Sequence, residues 1–330
     1  MSARLSKGIT YIIFALIGLA LLYFAFADVD LSAMWKNIVS ANYWWVLVAL
    51  IFSMCAYLFR ALRWNLLIES TCGRAPSLWD SFWALMFGYF ANLALPRVGE
   101  ITRCGALART NKLPFDTLIG TVIVERVFDL LMVVLLAAMT FLIKIDFFGS
   151  FIINSIVMPT ASRVASISLV LLVAIAVVLV LLLIAFLLLR KKENVLVQKT
   201  RTFIQGMVDG VKSVYKLEKR WRFVIYTLLL WVCYWMMTWV ICFSIPQTSH
   251  LGMIDGLFLL IIGSLGMAVP VQNGIGVFHF IVASALTIYG LNYTTVGLLY
   301  ATISHESQLL VELVLGVASL CIIFRKKRSI

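Results

Sequence analysis

Long apolar stretches separated by short polar ones dominate the pattern of the chain. A helix needs about 20 consecutive apolar residues to cross a bilayer core of roughly 30 Å. Six stretches approach or exceed that length: 9–27, 44–62, 118–143, 166–189, 223–243 and 295–324. The first is too long for the core of a signal peptide and lacks a clear cleavage site, so we interpret it as an uncleaved span. The pattern predicts an all-α integral membrane protein with six full transmembrane helices.

Two further apolar stretches are shorter, and each stops at a proline, Pro96 or Pro270. Each is followed by a Gly-containing turn and a second arm. The first arms are 78–95 and 254–269, and the return arms are 98–110 and 277–289. Proline ends a helix because it removes a backbone donor and clashes with the preceding turn. Irregular backbone at membrane depth is tolerated where protein or a water-filled cavity surrounds it. We therefore expect two re-entrant helical hairpins.

The two hairpins belong to similar series of elements. In each series a full span precedes the hairpin, an aspartate (Asp80 or Asp255) begins its first arm, and a helix with polar residues three apart follows. This predicts a single transmembrane domain, residues 1–330, built as an inverted repeat of about 44–143 and 223–324. In transporters such repeats place the substrate site near the midplane of the bilayer, at the broken helices. Since the sequence identity is low, chance similarity is the alternative.

Composition and charge favour a membrane protein and orient it. Hydrophobic residues make up 63% of the chain, whereas a soluble domain averages roughly 45–50%. The net charge is +12. With a cytoplasmic N-terminus, six crossings leave every basic residue except Lys36, Lys144 and Arg163 on the cytoplasmic side, as the positive-inside rule requires. We predict a multi-pass protein of the cell membrane, inner or plasma, with both termini cytoplasmic and no nucleic-acid partner.

The one sizeable hydrophilic segment, residues 190–222, contains ten Lys or Arg. Its apolar residues, among them Ile204, Val208 and Val211, fall at helical spacing, which predicts an amphipathic helix on the membrane surface. Two interpretations are open: docking to anionic lipid, or an ordinary basic loop that follows the positive-inside rule.

Charged residues flank the first break, although charge at membrane depth costs roughly 2.5–3.5 kcal/mol per residue. They are Arg97, Glu100, Arg103, Glu125, Arg126 and Asp129. Arginine suits phosphate because its planar guanidinium donates two parallel hydrogen bonds. We expect the three arginines to bind an anionic lipid headgroup and the three carboxylates to neutralise them when the site is empty. The alternative is a set of structural ion pairs that hold the hairpin against the next span.

Around the second break the candidate binding residues are Asn273, His279, His305 and Glu312. Glycines beside Asn273 would let backbone amides approach a ligand. Histidine titrates near neutral pH, which would suit His279 and His305 to carry protons, accompanied by Glu306 or Glu312. The alternative is that each histidine is simply hydrogen-bonded within a packed helix.

Signatures of enzymes are missing from the sequence. The six cysteines are scattered without a CxxC pair, and we interpret them as packing residues. The three histidines lack the spacing of a metal centre, and neither HExxH nor GxSxG occurs. We therefore expect no enzyme activity, no cofactor and no bound metal.

Two segments around the first break resemble a known family. PRVGEITRCGAL at 96–107 and VIVERVFDLL at 122–131 are similar to the flippase-like transmembrane domain of lysylphosphatidylglycerol synthases. The resemblance extends over essentially the whole chain, but Gln272, Asn273 and His279 depart from the family's Pro-x-Pro-Gly-Gly-x-Gly-x-x-Glu run. It implies two re-entrant hairpins and lipid translocation. The soluble aminoacyl-transferase domain of bifunctional members is not within these residues, so lipid lysylation is not implied.

The function expected from the sequence is that of a transporter or flippase for an anionic phospholipid or a polyprenyl-phosphate-type lipid. Membrane lipids with an anionic headgroup are the expected partners. One alternative is a membrane enzyme that acts on lipid-linked substrates. Another is a channel, a small-solute transporter or an assembly subunit. The sequence leaves open the lipid, the direction of transport, the energy source and whether the chain forms a homo-oligomer.

Overall fold

The computed structural model describes residues 22–23, 26, 29–95, 97–144, 214–215, 217–269 and 271–328. The chain divides into two units, Met1–Ala137 with Val214–Ile330, and Ala138–Ser213. Every contact discussed below lies within the first unit. The predicted span 166–189, most of the predicted span 9–27, most of the basic segment 190–222, Pro96 and Pro270 lie outside the described residues.

The described residues form helices and contain no strand. In chain order the α-helices are α1 (Leu31–Val39), α2 (Tyr43–Cys72), α3 (Leu78–Ala94), α4 (Gly99–Asn111), α5 (Phe115–Ile143), α6 (Arg220–Ile241), α7 (Met253–Ala268), α8 (Val277–Thr287) and α9 (Leu298–Arg328). Short 3₁₀ turns cover Cys242–Ser244, Pro246–Thr248 and Gln272–Gly274, and a π-helical turn, Tyr293–Gly297, precedes α9.

Four stretches of described helix are long and apolar enough to cross a membrane. They are Tyr43–Cys72, Phe115–Ile143, Arg220–Ser244 and Tyr293–Arg325. Each contains or closely matches a span predicted from the sequence. Large apolar side chains stay exposed along them, for example Val134 and Leu135 on α5 and Val314 on α9. Such a surface is typical of contact with lipid rather than water.

Helices α3 and α7 end where the two prolines predict. Leu95 and Val269, which precede the prolines, both adopt extended backbone conformations, as the residue before a proline must. The helices have 17 and 16 residues, which at 1.5 Å per residue gives roughly 25 Å, less than the hydrocarbon core. Both are therefore short in comparison with the four long apolar helices.

Helices α3 and α4 form a hairpin whose two outer ends lie side by side. Arg74, just before α3, donates to the carbonyl oxygens of Asn111 and Lys112 at 2.9 and 3.0 Å. The Asn111 side chain donates to Asp80 at 3.0 Å. The chain thus leaves the hairpin beside the point at which it entered.

One predicted boundary was wrong. The sequence predicts a second span that ends at Leu62, before Arg63 and Trp64, but α2 continues to Cys72. There Gly73, with a φ of 70°, stops the helix in the left-handed conformation. The polar connection between the first two predicted spans is residues 28–42. It contains α1, whose N-terminus is capped by the Asp30 carboxylate.

The core around the hairpin is built from α2, α3, α4 and α5. Its buried apolar side chains include Trp64, Phe82, Met86, Leu107 and Leu118. The indole of Trp64 donates to the Thr121 hydroxyl at 2.9 Å, which satisfies a buried polar group of α5. This core fixes the hairpin against two long helices.

Close contact at Gly88 and Gly99 brings α3 and α4 together. A Cβ on Gly99 would clash with the Gly88 carbonyl oxygen and approach the Asn92 side chain to 2.7 Å. We expect Gly99→Ala to destabilise the fold by about 1–3 kcal/mol, the usual cost of overpacking, measured as a fall in Tm in detergent. Gly105→Ala on the same helix is the matched control, because a Cβ there meets nothing within 4 Å. Equal stability of the two variants would contradict the close contact.

Candidate functional site

A cavity of about 680 Å³ opens between the two broken elements. Typical ligand sites have roughly 300–1,000 Å³. Residues of every helix from α2 to α9 line the cavity together with both helix breaks. Eight of the ten site residues predicted from the sequence line the cavity. The other two, Glu125 and His279, are buried behind its surface. The two halves of the sequence therefore contribute to one site.

The two breaks meet through Arg97. Its Nη2 donates to the carbonyl oxygen of Ala268, the last residue of α7, at 2.7 Å. The final carbonyls of a helix have no partner within it and carry partial negative charge, so the guanidinium caps α7. Arg97 itself has a φ of 61°, a left-handed conformation that is uncommon for a residue with a side chain. The bond therefore joins the first break to the end of α7, which is the first arm of the second predicted hairpin.

Glu125 is fully buried and binds three arginines. Its Oε1 accepts from Arg60 at 3.2 Å and from Arg63 at 3.1 Å. Its Oε2 accepts from Arg103 at 2.7 Å. The Arg103 guanidinium also stacks on the ring of Trp64, 4.5 Å from its centroid. For Arg103 and Glu125 the geometry matches the structural ion pairs that the sequence left as the alternative.

Asp129 extends this network by one helical turn. It accepts from Arg60 at 3.0 Å and from Arg63 at 2.7 Å. Arg60 further donates to the hydroxyl oxygens of Tyr89 and Tyr234, at 3.0 and 3.1 Å. Three guanidiniums thus share two carboxylates in a nearly dry environment, which leaves one positive charge in excess. We call these five charged residues the buried network: Arg60, Arg63, Arg103, Glu125 and Asp129.

Arg60 and Arg63 were not among the predicted site residues. They lie at the end of the predicted span 44–62, whereas α2 carries both of them inside the protein. One signal could have found them. Residues three or four apart share a helix face, so a pair of arginines at 60 and 63 can match a pair of carboxylates at 125 and 129.

Arg126 and Glu100 form a different kind of pair at the cavity surface. Arg126 Nε lies 2.7 Å from Glu100 Oε1, and their side chains are 45% and 40% exposed. Arg126 Nη1 also lies 3.5 Å from Asp129. Exposed pairs of this kind contribute about 0–1 kcal/mol, far less than it costs to break a buried one. Arg126 can therefore exchange its partner while the buried network stays intact.

Glu312 links the second break to α2. Its two carboxylate oxygens accept from the Tyr57 hydroxyl at 3.0 Å and from the Asn273 side chain at 3.2 Å. Asn273 lies in the 3₁₀ turn after the second break, with a φ of 46°. The predicted residues Asn273 and Glu312 are thus in direct contact, although 39 positions separate them.

His279 and His305 lie together with Glu306 on the far side of Asn273. Glu306 Oε1 is 3.1 Å from His305 Nδ1 and 3.4 Å from His279 Nε2. His305 Nε2 is 2.9 Å from the carbonyl oxygen of Asn273. Both imidazoles are buried, but Glu306 is 40% exposed. The sequence named Glu306 only as a companion of the histidines, because neighbours in sequence seldom bind one another's side chains on a helix.

Comparison with known proteins identifies one family. The family model described as "Lysylphosphatidylglycerol synthase TM region" matches residues 11–316. No curated protein matches the chain, and no solved structure does. The matched region includes both breaks, the buried network and the cluster of His279, His305 and Glu306.

Neutralising Glu125 should destabilise the protein strongly. In Glu125→Gln, Arg60, Arg63 and Arg103 keep their charges but lose their shared carboxylate, and removal of one partner from a buried ion pair costs about 3–5 kcal/mol. We expect a large fall in Tm in detergent. Glu69→Gln is the control, since Glu69 pairs with Lys219 at the surface at 2.6 Å and should change stability by about 1 kcal/mol or less. Similar Tm values for both variants would show that the buried network does not hold the fold.

Proposed function

Because this chain belongs to the family of the lysylphosphatidylglycerol synthase TM region, we propose that it translocates an anionic lipid between the two leaflets of the cell membrane. Membership of this family suggests a function connected with membrane lipids. The more specific proposal, a transporter or flippase rather than an enzyme, rests on the cavity. The observation that supports this proposal most directly is the bond from Arg97 to Ala268, which joins two short helices beside a positively charged site.

The charge of the site supports an anionic cargo. Five guanidiniums surround the first break, against three carboxylates, so two positive charges are in excess there. They belong to Arg60, Arg63, Arg97, Arg103 and Arg126, and the carboxylates to Glu100, Glu125 and Asp129. A lipid that crosses the membrane must replace the hydration of its headgroup with hydrogen bonds from the protein. Phosphate oxygens accept strong, charge-assisted hydrogen bonds from guanidinium groups. The exposed guanidiniums of Arg97 and Arg126 are the groups we assign to the phosphate.

Binding would proceed by exchange of partners. Phosphate competes with Glu100 for Arg126 and with the Ala268 carbonyl for Arg97. The Arg126–Glu100 pair is half exposed and weak, so the exchange costs little. The buried network behind it keeps the helices in register during the exchange. The apolar lipid chains would remain in the bilayer beside the cavity.

We propose that the chain is built as an inverted repeat, with about 44–143 as one half and 223–324 as the other, and that this symmetry gives the cavity access to both leaflets. The short helices α3 and α7 would enter from opposite sides as parts of re-entrant hairpins, within six full spans and with cytoplasmic termini. The adjacent ends of the α3–α4 hairpin support re-entrance for the first half. Rocking of one half against the other would then open the cavity to each leaflet in turn.

The topology can be tested by labelling single cysteines in a background without the six native ones. Ser77→Cys and Lys112→Cys flank the first hairpin, and His250→Cys and Leu291→Cys flank the second. We expect a membrane-impermeant maleimide to label the first pair only from the cytoplasmic side and the second pair only from the outside. Labelling of Ser77→Cys and Lys112→Cys from opposite sides would rule out re-entrance of that hairpin.

Lipid translocation can be tested in proteoliposomes that contain a labelled anionic phospholipid. We expect Arg97→Ala and Arg126→Ala each to slow its movement at least about tenfold, the equivalent of ~1.4 kcal/mol and within the range for a hydrogen bond to a charged group. Arg109→Ala is the matched control, because Arg109 is an exposed arginine of α4 that does not line the cavity. The same assay with a zwitterionic lipid should show slower movement by the wild type. Unchanged rates in both cavity variants, with unchanged Tm, would contradict the assignment of these residues.

A further inference from the structure

The histidine cluster, His279, His305 and Glu306, contains a contact that ordinary protonation states do not satisfy. His305 Nε2 lies 2.9 Å from the Asn273 carbonyl oxygen. A carbonyl oxygen only accepts hydrogen bonds, so Nε2 must carry a hydrogen. In a neutral imidazole the other nitrogen, Nδ1, then has no hydrogen and is itself an acceptor.

The neighbour of Nδ1 is also an acceptor. Glu306 Oε1 lies 3.1 Å away, within hydrogen-bond distance, and an ionised carboxylate has no hydrogen to donate. Two acceptors at this separation repel each other unless a proton lies between them. Since His305 is 6% exposed, there is little water to separate them. The geometry therefore requires one proton more than a neutral histidine and a carboxylate supply.

The surroundings of the pair contain few other charges. From α8, His279 points Nε2 at the same Glu306 oxygen, 3.4 Å away, and Phe278 packs beside the His305 ring at 5.1 Å. From the second break only the Asn273 backbone faces His305. On α9 itself the nearest other carboxylate is Glu312, which Tyr57 of α2 and Asn273 hold. Glu306 is thus the counter-charge at hydrogen-bond distance from His305 among the described residues.

We propose that His305 binds an exchangeable proton as an imidazolium paired with Glu306, and that this proton is the coupling ion of transport. The coupling rests on the proposed lipid translocation, whereas the proton site does not. Glu306 is partly exposed and gives the proton a route to water. On release the imidazolium becomes neutral and the proton leaves to solvent through the carboxylate.

Loss of the proton would act on the second break directly. A neutral imidazole has one N–H, which can satisfy either Asn273 or Glu306 but not both. If His305 turns to Glu306, the Asn273 carbonyl is released, and with it the turn that follows α7. The Asn273 side chain in turn holds Glu312 and, through it, Tyr57 on α2. A single proton is therefore connected to both halves of the cavity.

The proton site can be tested without any transport assay. The chain has three histidines, at 250, 279 and 305, so ¹⁵N-histidine labelling gives three imidazole spectra, assigned with His250→Gln and His279→Gln. His250 is exposed and serves as the internal reference. We expect the wild-type His305 spectrum to show hydrogens on both imidazole nitrogens, as its two acceptor neighbours require. In Glu306→Gln the His305 spectrum should show a hydrogen on only one nitrogen, because the charge-assisted hydrogen bond to the carboxylate is lost.

Two results would overturn the proton site. One is a wild-type His305 spectrum that shows a hydrogen on only one imidazole nitrogen. The other is a His305 spectrum that changes on addition of a chelator, which would show a metal ion in place of the proton.

The coupling is tested in proteoliposomes with an imposed pH gradient. If one proton accompanies each lipid, a gradient of one unit should shift the distribution of the labelled lipid between leaflets by about tenfold. Glu306→Gln and His305→Gln should remove this shift. Lipid movement that ignores the gradient in the wild type would overturn the coupling but not the proposed function. No lipid movement at all would overturn the proposed function and the coupling together, and the ¹⁵N spectra would still decide the proton site.

Discussion

The buried carboxylate of Glu125 imposes the strongest constraint on this structure. Charge in a nonpolar interior is tolerated only when partners surround it, and Glu125 has three arginines from two helices. Because each bond needs its partner within about 3 Å, α2, α4 and α5 cannot slide or rotate against one another without exposing an unpaired charge. The wall of the cavity is therefore fixed by electrostatics as much as by the apolar core around Trp64.

Beside this wall, hydrogen bonds outside the buried network hold the two helix breaks. Arg97 reaches from the first break to the end of α7, and His305 holds the turn after the second. Neither contact is part of the buried network. A site that must change shape needs both kinds of region, since a fully rigid cavity cannot open and a fully labile one cannot keep its geometry. The strained backbone of Arg97 lies where such a change would start.

Much of the helical layout could be predicted from the sequence. The ends of α3 and α7 followed from the two prolines, and the described spans lie close to the apolar stretches. The buried network could not be predicted from hydropathy, because a charged residue inside a helix looks like the end of a span. Arg60 and Arg63 were misplaced for that reason, although Glu125, Asp129 and Arg103 were identified. The proximity of His279 to Glu306 depends on how α8 packs on α9. The local pattern of residues does not predict this packing.

The bond between Arg97 and Ala268 has a consequence for an idle carrier. The guanidinium and the exposed end of α7 satisfy each other, so on the transport proposal opening the cavity without cargo would leave both without a partner. A molecule with its own strong acceptor can take the place of the carbonyl and lower the free-energy cost of opening, whereas an uncharged lipid cannot. On the transport proposal, one hydrogen bond would then serve as both latch and selectivity filter, and futile cycling without cargo would be suppressed by the protein's own backbone.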